Sequence, residues 1–258
     1  MFPEDSFRAF SPAVERIAAD WFENPVSGVP WQFVEKFGGT ESQPYRVKND
    51  DLVGLAKPGV RHGDTHARAA HEKLASDLAY ALRLPVPPVV LWDPGEAAAE
   101  RRACISAWAF QQCESWDRAS GAGLIADTLK ASAARVGSAM VAFDTWVSAT
   151  DRKSEHVLVN MASTDQLGLA FIDYSFSLSY VWDAENHGAG LVAAYLPVPI
   201  EHGALRHMAE RIQKFDLGEL DRLVGRIPDS YLLAGQRAVI LNNLSFRSRS
   251  IDRLLSLT

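Results

Sequence analysis

Short apolar runs separated by turn-forming residues fill the first part of the chain and predict strands. Glycine and proline at residues 38–44 and the Asn49-Asp50-Asp51 turn separate the first three runs, which predicts a three-stranded antiparallel start. Two further runs follow on either side of a polar, turn-like stretch. The five predicted strands lie at 30–37, 45–50, 52–58, 89–92 and 103–110.

Two segments in the same part of the chain have a helical pattern. Residues 11–23 begin with a capping Ser11 and a proline, and their apolar side chains recur on one face. Residues 64–82 carry a buried stripe of alanine and leucine, with Asp64 as the predicted cap. The proline-rich stretch 84–88 ends this second helix.

The pattern changes after about residue 112, where helices are predicted around 123–149 and again from 201 to the end. A polar turn and a β-hairpin interrupt them. A β-rich part followed by a helical part indicates an α+β protein with two lobes and a cleft between them. We expect the lobes to cover residues 1–111 and 112–258.

The hairpin after the polar turn holds the strongest indication of chemistry. Asp151 lies in the turn, and Asp173 follows the second hairpin strand, so that two carboxylates are expected at the ends of one hairpin. Lys57 ends a predicted strand, and Glu72 lies in the helix that follows it. Phosphoryl transfer requires such parts: a lysine for the phosphates, a glutamate to hold it, and aspartates for the acceptor hydroxyl and the metal.

Composition limits the other function classes. The 258 residues are 47% hydrophobic and 22% charged, which suits a folded core, and the net charge of −6 argues against a dedicated nucleic-acid binder. No run approaches the roughly 20 apolar residues of a membrane span, and the start of the chain lacks a signal-peptide pattern. We therefore expect a cytoplasmic protein without a membrane or nucleic-acid partner, whose two cysteines, Cys104 and Cys113, are free thiols.

In this order of elements the chain resembles the HipA-like kinases and, more distantly, the phosphatidylinositol 3/4-kinases. The resemblance covers about residues 30–180. It is carried by Lys57 on a strand, Glu72 on a helix that runs into Leu82-Arg83-Leu84-Pro85-Val86-Pro87, and the segments FDTWVSATDRKSEHVLV and LAFIDYSFSL. It implies a bilobal protein-kinase-like fold, with an antiparallel β-rich N-lobe and a mainly helical C-lobe.

The resemblance also implies roles for individual residues. Asp151 corresponds to the catalytic aspartate, Lys57 to the phosphate-binding lysine with Glu72 as its partner, and Asp173 to the principal metal ligand. The phosphate-covering loop would contain Gly38 and Gly39, and the hinge facing the adenine would be 107–110, with Trp108 and Phe110. These roles imply ATP with Mg²⁺ or Mn²⁺, and a protein Ser or Thr hydroxyl as the phosphate acceptor.

One position departs from the family pattern. Where the family motif D-R-x-x-x-N has a metal-binding asparagine, this chain has His156, whose nitrogen suits Mn²⁺ or softer ions better than Mg²⁺. This departure motivates an alternative, a pseudokinase that acts as a nucleotide-binding or protein-binding module. A kinase for a small molecule or lipid headgroup is a third reading. Lys48 is a rival for the phosphate lysine, but its strand end is expected to point away from the cleft.

Three other features favour ordinary structural readings. His62, His66 and His71 lie close together in sequence, but they lack the HExxH spacing of a helical zinc site. Ser175, Ser177, Ser179 and Tyr180 follow Asp173, where a kinase activation segment would begin and could be self-phosphorylated, but an ordinary serine-rich loop is the favoured reading. The basic stretch 247–253 is expected on the solvated side of a terminal helix.

Overall fold

The computed structural model describes residues 6–38, 43–50, 52–58, 67–95, 98, 101–125, 127–149, 151–162, 168–178 and 198–257. Its helices are α1 Pro12–Glu23, α2 Ala67–Ala81, α3 Trp116–Gly121, α4 Asp127–Val147, α5 His202–Gln213, α6 Leu217–Gly225, α7 Ala234–Arg249 and α8 Ile251–Leu254. Its strands are β1 Val26–Ser27, β2 Gln32–Lys36, β3 Tyr45–Asn49, β4 Leu52–Pro58, β5 Val89–Trp92, β6 Ala103–Ala107, β7 Cys113–Ser115, β8 Val157–Asn160 and β9 Leu169–Phe171. The expected α+β class is confirmed.

A six-stranded sheet occupies the first part of the chain, in the order β1-β5-β6-β4-β3-β2. Apart from the short parallel pair β1–β5, all neighbouring strands are antiparallel. The predicted antiparallel start is therefore confirmed as β2-β3-β4. The predicted last strand is shorter than expected: β6 ends at Ala107, and Trp108 makes one further backbone hydrogen bond, to the Val53 carbonyl near the start of β4.

Alternate residues of this sheet face two different layers, as the two-residue period of a strand requires. Val90 and Ile105 pack with Trp21 of α1 on one face. Leu91 and Cys104 pack on the opposite face, in the cluster that contains the apolar side of α2. Lys57 follows Ala56 on β4, and Ala56 belongs to the α1 face, so Lys57 points to the α2 face.

A second, three-stranded antiparallel sheet has the order β7-β8-β9. The sequence predicts the hairpin β8–β9 but not β7, since this strand has only three residues and continues directly into α3. A short 3-10 helix at Ser154–His156 leads into β8. Because Val157 pairs with Phe171, the residues just before β8 lie beside those just after β9.

The helices of the second part pack around the end of α4. Trp146 of α4 is fully buried, and its indole N–H donates to the carbonyl of Leu244 on α7 at 3.0 Å. Arg247 of α7 is also fully buried and donates to the carbonyls of Thr145 and Trp146. The expectation of a solvated basic stretch is therefore wrong at Arg247, which instead satisfies carbonyls at a helix C-terminus.

The remaining expectations concern the two cysteines, membrane-spanning helices and the boundary between the lobes. Cys104 and Cys113 are both free thiols, as expected. Among the helices that the structure describes, none is long and apolar enough to cross a membrane. The six-stranded sheet lies within residues 26–107, and the expected lobe boundary near residue 111 stays a prediction.

Candidate active site

A cavity of about 230 Å³ lies between the six-stranded sheet and the three-stranded sheet. Its walls are mostly apolar, and β4, the stretch from Val86 to Val89, β6, β8 and β9 all contribute to them. Three charged side chains, Lys57, Glu72 and Asp173, also line it. An apolar cavity with a few convergent polar groups is the form of a small-molecule site.

The three charged side chains contact one another although they come from distant segments. The Lys57 ammonium lies 2.5 Å from Glu72 Oε1 and 2.9 Å from Asp173 Oδ1. Lys57 reaches them because β4 turns it toward α2, while Asp173 directly follows β9 and Ile172. The result is one cation held between two carboxylates at the cavity wall.

This arrangement fixes the charge state of the lysine and of the aspartate. Burial alone would lower the pKa of Lys57, but the carboxylates of Glu72 and Asp173 outweigh burial and hold that pKa above its ordinary value. Burial would likewise raise the pKa of Asp173, but the Lys57 ammonium holds it well below its ordinary value. Both groups are therefore charged at neutral pH.

The backbone after β9 is held in an unusual conformation beside this cluster. Asp173 has a φ of 67°, in the left-handed region that aspartate tolerates better than most residues. The Ser175 hydroxyl donates to Asp173 Oδ1 at 2.9 Å, and the Tyr174 N–H donates to Glu72 Oε2 at 3.0 Å. Glu72 thus binds Lys57 with one oxygen and the backbone of residue 174 with the other.

His156 lies on the other side of Asp173. Its Nε2 is 3.6 Å from Asp173 Oδ2, because the hairpin places the two segments side by side and Ile172 donates to the His156 carbonyl at 2.9 Å. Burial lowers the pKa of His156, and Arg152 adds to this effect, while Asp173 opposes it. Its Nδ1 is buried and has no hydrogen-bond partner among the described residues.

Asp173 and His156 could both face one divalent ion. Their two nearest donor atoms, one oxygen and one nitrogen, are close enough for a shared ion at ordinary metal–ligand distances of about 2.0–2.2 Å. Within the part of the chain that the structure describes, no group of three or more His, Cys, Asp or Glu side chains is placed to hold a metal. Further ligands would have to come from water or from a bound substrate.

Asp151 lies in the turn between α4 and the 3-10 helix, with its side chain 41% exposed. The Lys153 ammonium is 3.2 Å from its Oδ1. Asp151 does not line the cavity itself. It interacts electrostatically with His156, and so does Asp173. A half-exposed carboxylate beside the charged end of a cavity can meet a second substrate from solvent.

A buried network holds the backbone next to Asp151, and the sequence did not predict it. The Arg152 guanidinium donates to Asp144 at 3.0 and 3.3 Å and also to the Ile172 carbonyl. The Tyr174 hydroxyl donates to the same Asp144 at 3.0 Å. The feature of the sequence that could have indicated this network is Asp144, a charged residue within an apolar stretch of α4. The network joins the turn of Asp151 to the segment of Asp173.

The predicted loop and hinge residues lie in different surroundings. Trp108 lines the cavity, whereas Phe110 is buried against Phe10, with ring centroids 5.7 Å apart, and does not line it. Gly38 is exposed in the loop after β2, and Gly39 lies outside the described residues. Register places the end of β2 near the Lys57 end of β4, since Lys36 is beside Tyr45 and Tyr45 beside Ala56. Lys48 is exposed near the other end of β3.

The stretch 107–109 presents backbone groups on the cavity wall. Ala107 donates its N–H to Pro88 at 2.9 Å, and its carbonyl points toward the same strand, where proline has no N–H to offer. Within the described residues, no backbone hydrogen bond uses the N–H of Ala109. Ala107 therefore offers an acceptor and Ala109 a donor, two residues apart.

Of the three clustered histidines, the structure describes His71. It lies on α2, buried, with its Nδ1 3.3 Å from the Ser175 carbonyl. His62 and His66 lie outside the described residues, as do Ser179 and Tyr180. Ser177 is buried and donates to the Tyr174 carbonyl at 2.7 Å, while Ser175 is partly exposed beside Asp173.

Comparison with known proteins identifies the fold. No family model matches the chain, and no curated protein matches it. A solved structure described as the Helicobacter pylori proinflammatory kinase CtkA matches with a TM-score of 0.61 and 12% sequence identity, covering 88% of this chain and 95% of that one. A structure of WaaP in complex with acyl carrier protein matches with a TM-score of 0.43 and 15% identity, covering 95% and 91%. The CtkA match confirms the expected protein-kinase-like fold, but not the HipA-like family.

The buried His71 makes stability depend on pH. Burial lowers the pKa of His71 from 6.5 to about 4, so its neutral form stabilises the fold above pH 6.5 and this contribution is lost as the pH falls toward 4. Between pH 7 and pH 5 the free energy of unfolding of the wild type should therefore fall by about 2 kcal/mol more than that of His71→Asn, because asparagine does not titrate. Urea unfolding at both pH values measures this difference. Equal losses in the two proteins would contradict it.

Proposed function

We propose that the protein is an ATP-dependent phosphotransferase that moves the γ-phosphate of ATP to a hydroxyl group. The observation that carries the proposal is the Lys57 ammonium, held by Glu72 and Asp173 at the wall of an apolar cavity. A fixed positive charge beside an apolar cavity matches a nucleotide, whose base is flat and apolar and whose phosphates are anionic. The protein-kinase-like fold supports this reading by analogy.

The cavity wall suits adenine in particular. Val86, Val89, Leu158 and Phe171 supply apolar surface for the faces of the base. Adenine presents an amino donor at N6 and an acceptor at N1, which complement the carbonyl of Ala107 and the N–H of Ala109. Guanine presents an acceptor and a donor in the reverse order at this edge. We therefore infer that ATP is preferred over GTP.

Lys57 would bind the phosphates, and Glu72 would keep it in place. The end of β2 lies near Lys57, and we propose that Gly38 and Gly39, which follow it in sequence, cover those phosphates with backbone N–H groups. Lys48 is a poorer choice for this role, because it is exposed and lies near the opposite end of its strand.

A divalent metal, Mg²⁺ or Mn²⁺, would be held by Asp173 and His156 together with phosphate oxygens. When bound, the ion neutralises phosphate charge that builds up during transfer. The carboxylate of Asp173 is fully ionised for this role. The imidazole of His156 is a weaker ligand for Mg²⁺ than an asparagine oxygen, so the pair favours Mn²⁺.

Asp151 would orient the acceptor hydroxyl and take its proton. The acceptor oxygen attacks the γ-phosphorus, the bond from that phosphorus to the β–γ bridging oxygen breaks, and ADP leaves. Lys153, 3.2 Å from Asp151, adds positive charge at the entrance, where the γ-phosphate and acceptor would meet.

The finer assignments rest on the resemblance and on sequence. We propose that the protein is a HipA-like kinase and that its phosphate acceptor is a Ser or Thr hydroxyl of a protein. We also propose lobes at residues 1–111 and 112–258 and a cytoplasmic location. A small-molecule or lipid-headgroup kinase would use the same residues. The alternative from another class is a pseudokinase, which the histidine at position 156 favours because it replaces an oxygen ligand.

Transfer of labelled γ-phosphate tests the proposal. Asp151→Asn should lower transfer at least about 100-fold, because the general base is lost. Glu210→Gln is the control, since Glu210 is also an exposed carboxylate near a lysine, Lys214, but lies on α5 and does not line the cavity. Self-labelling, labelling of a generic protein mixture and ATP hydrolysis are measured for all three proteins.

Equal activity of wild type and Asp151→Asn would contradict the assignment of Asp151. Wild-type protein that ATP stabilises thermally without any transfer would support the pseudokinase instead.

The metal assignment gives a separate prediction. Restoring an oxygen ligand with His156→Asn should raise the ratio of activity with Mg²⁺ to activity with Mn²⁺ by about tenfold, because imidazole favours the softer ion. Enhanced water relaxation by Mn²⁺ in the presence of ATP measures metal binding independently of turnover, and it should weaken in this variant. An unchanged metal preference and unchanged Mn²⁺ binding would remove His156 from the metal site.

A further inference from the structure

The side of α2 that faces away from the cavity carries a buried charged network. Lys73 is fully buried, and its ammonium donates to Asp77 Oδ1 at 2.6 Å and to the Trp21 carbonyl at 2.8 Å. Asp77, one helical turn further on, is 2% exposed. Buried charges of this kind need partners that satisfy their hydrogen bonds, and here some of the partners lie on other elements, beginning with the Trp21 carbonyl of α1.

The other cation of the network comes from the far end of the chain. Arg226 follows α6 and donates to Asp77 Oδ2 at 2.6 Å, across 149 residues of sequence. It also donates to the Phe22 carbonyl. Trp21 and Phe22 lie in the last turn of α1, whose carbonyls lack partners within the helix, so Lys73 and Arg226 satisfy a helix C-terminus. The network thereby joins α1, α2 and α6.

The network and the active-site glutamate belong to the same rigid helix. Lys73 directly follows Glu72, so the two side chains leave α2 on adjacent faces, one toward α1 and α6 and the other toward Lys57. Ser76 adds a bond from its hydroxyl to the Pro87 carbonyl at 2.8 Å. Any rotation or sliding of α2 that separates Glu72 from Lys57 would also break the bonds of Asp77 to Arg226 and of Lys73 to the Trp21 carbonyl.

We propose that Asp77 and Arg226 are positioning residues that hold α2 with Glu72 paired to Lys57. The pair of Lys57 and Glu72 is then already formed before a nucleotide binds. This inference rests on the proposed function, since the benefit of a fixed Glu72 is a fixed phosphate-binding lysine.

Directionality explains why charged groups occupy this buried position. An apolar contact between α2, α1 and α6 tolerates small rotations of the helix, whereas the hydrogen bonds from Arg226 to Asp77 and from Lys73 to the Trp21 carbonyl do not. Buried ion networks add little stability compared with well-packed apolar residues, so a network of this kind is better explained by the geometry it imposes.

The test separates positioning from stabilisation. Arg226→Met should weaken ATP binding about tenfold, as coupling through a network of contacts commonly does. The triple variant Lys73→Met, Asp77→Leu, Arg226→Met leaves no unpaired buried charge, so it should fold stably and still bind ATP more weakly. Arg226→Lys, which keeps the charge, should recover part of the affinity. Arg222→Met is the control, because Arg222 lies one turn earlier on α6 and pairs with Glu219 at the surface.

Hydrogen exchange of the Tyr174 amide gives a readout that does not require ATP. That N–H donates to Glu72, so its protection should fall in Arg226→Met and in the triple variant but not in Arg222→Met. The inference would be overturned if the folded triple variant matched the wild type both in ATP affinity and in protection of the Tyr174 amide. Wild-type protein that does not bind ATP would overturn the proposed function, and the exchange of Tyr174 would still decide the inference about α2.

Discussion

The pairing of the Lys57 ammonium with two carboxylates is the constraint on which the rest of the site depends. A cation at a largely apolar cavity wall is costly unless opposite charges satisfy it, and Glu72 and Asp173 do so from two separate segments. Their approach fixes α2 against β4 on one side and the end of β9 on the other. The same contacts leave an apolar cavity between the two sheets, with its charge gathered where phosphates would bind.

Two buried polar networks hold the elements that bring these groups together. Arg152 and Asp144 tie the turn of Asp151 to the backbone before Asp173, so that one network connects the segments of the two aspartates. On the far side of α2, Asp77 and Arg226 tie that helix to the helical part of the protein. In both places a guanidinium joins a carboxylate to a backbone carbonyl, which fixes orientation as well as distance.

Much of this arrangement could be predicted from the sequence, because it depends on local patterns in a definite order. A strand that ends in Lys57, a helix with Glu72 and a hairpin that ends in Asp173 already suggest side chains that meet, and the structure brings them together. The burial of Arg247 and the partner of Asp77 could not be predicted, since they depend on how distant helices pack. Phe110 shows the same limit: as part of the predicted hinge it is expected to face the adenine, but it packs against Phe10 and does not line the cavity.

The central claim is that Lys57 forms the phosphate-binding centre of an ATP site, and ATP affinity of lysine variants tests it most directly. Calorimetric titration of Lys57→Met and Lys48→Met, each shown to be folded by circular dichroism, compares the lysine at the cavity with an exposed lysine on the neighbouring strand. The account predicts that Lys57→Met weakens ATP binding at least about tenfold, through the loss of a charge-assisted contact, while Lys48→Met binds like the wild type. Equal affinity of wild type and folded Lys57→Met, or a loss confined to Lys48→Met, would contradict it.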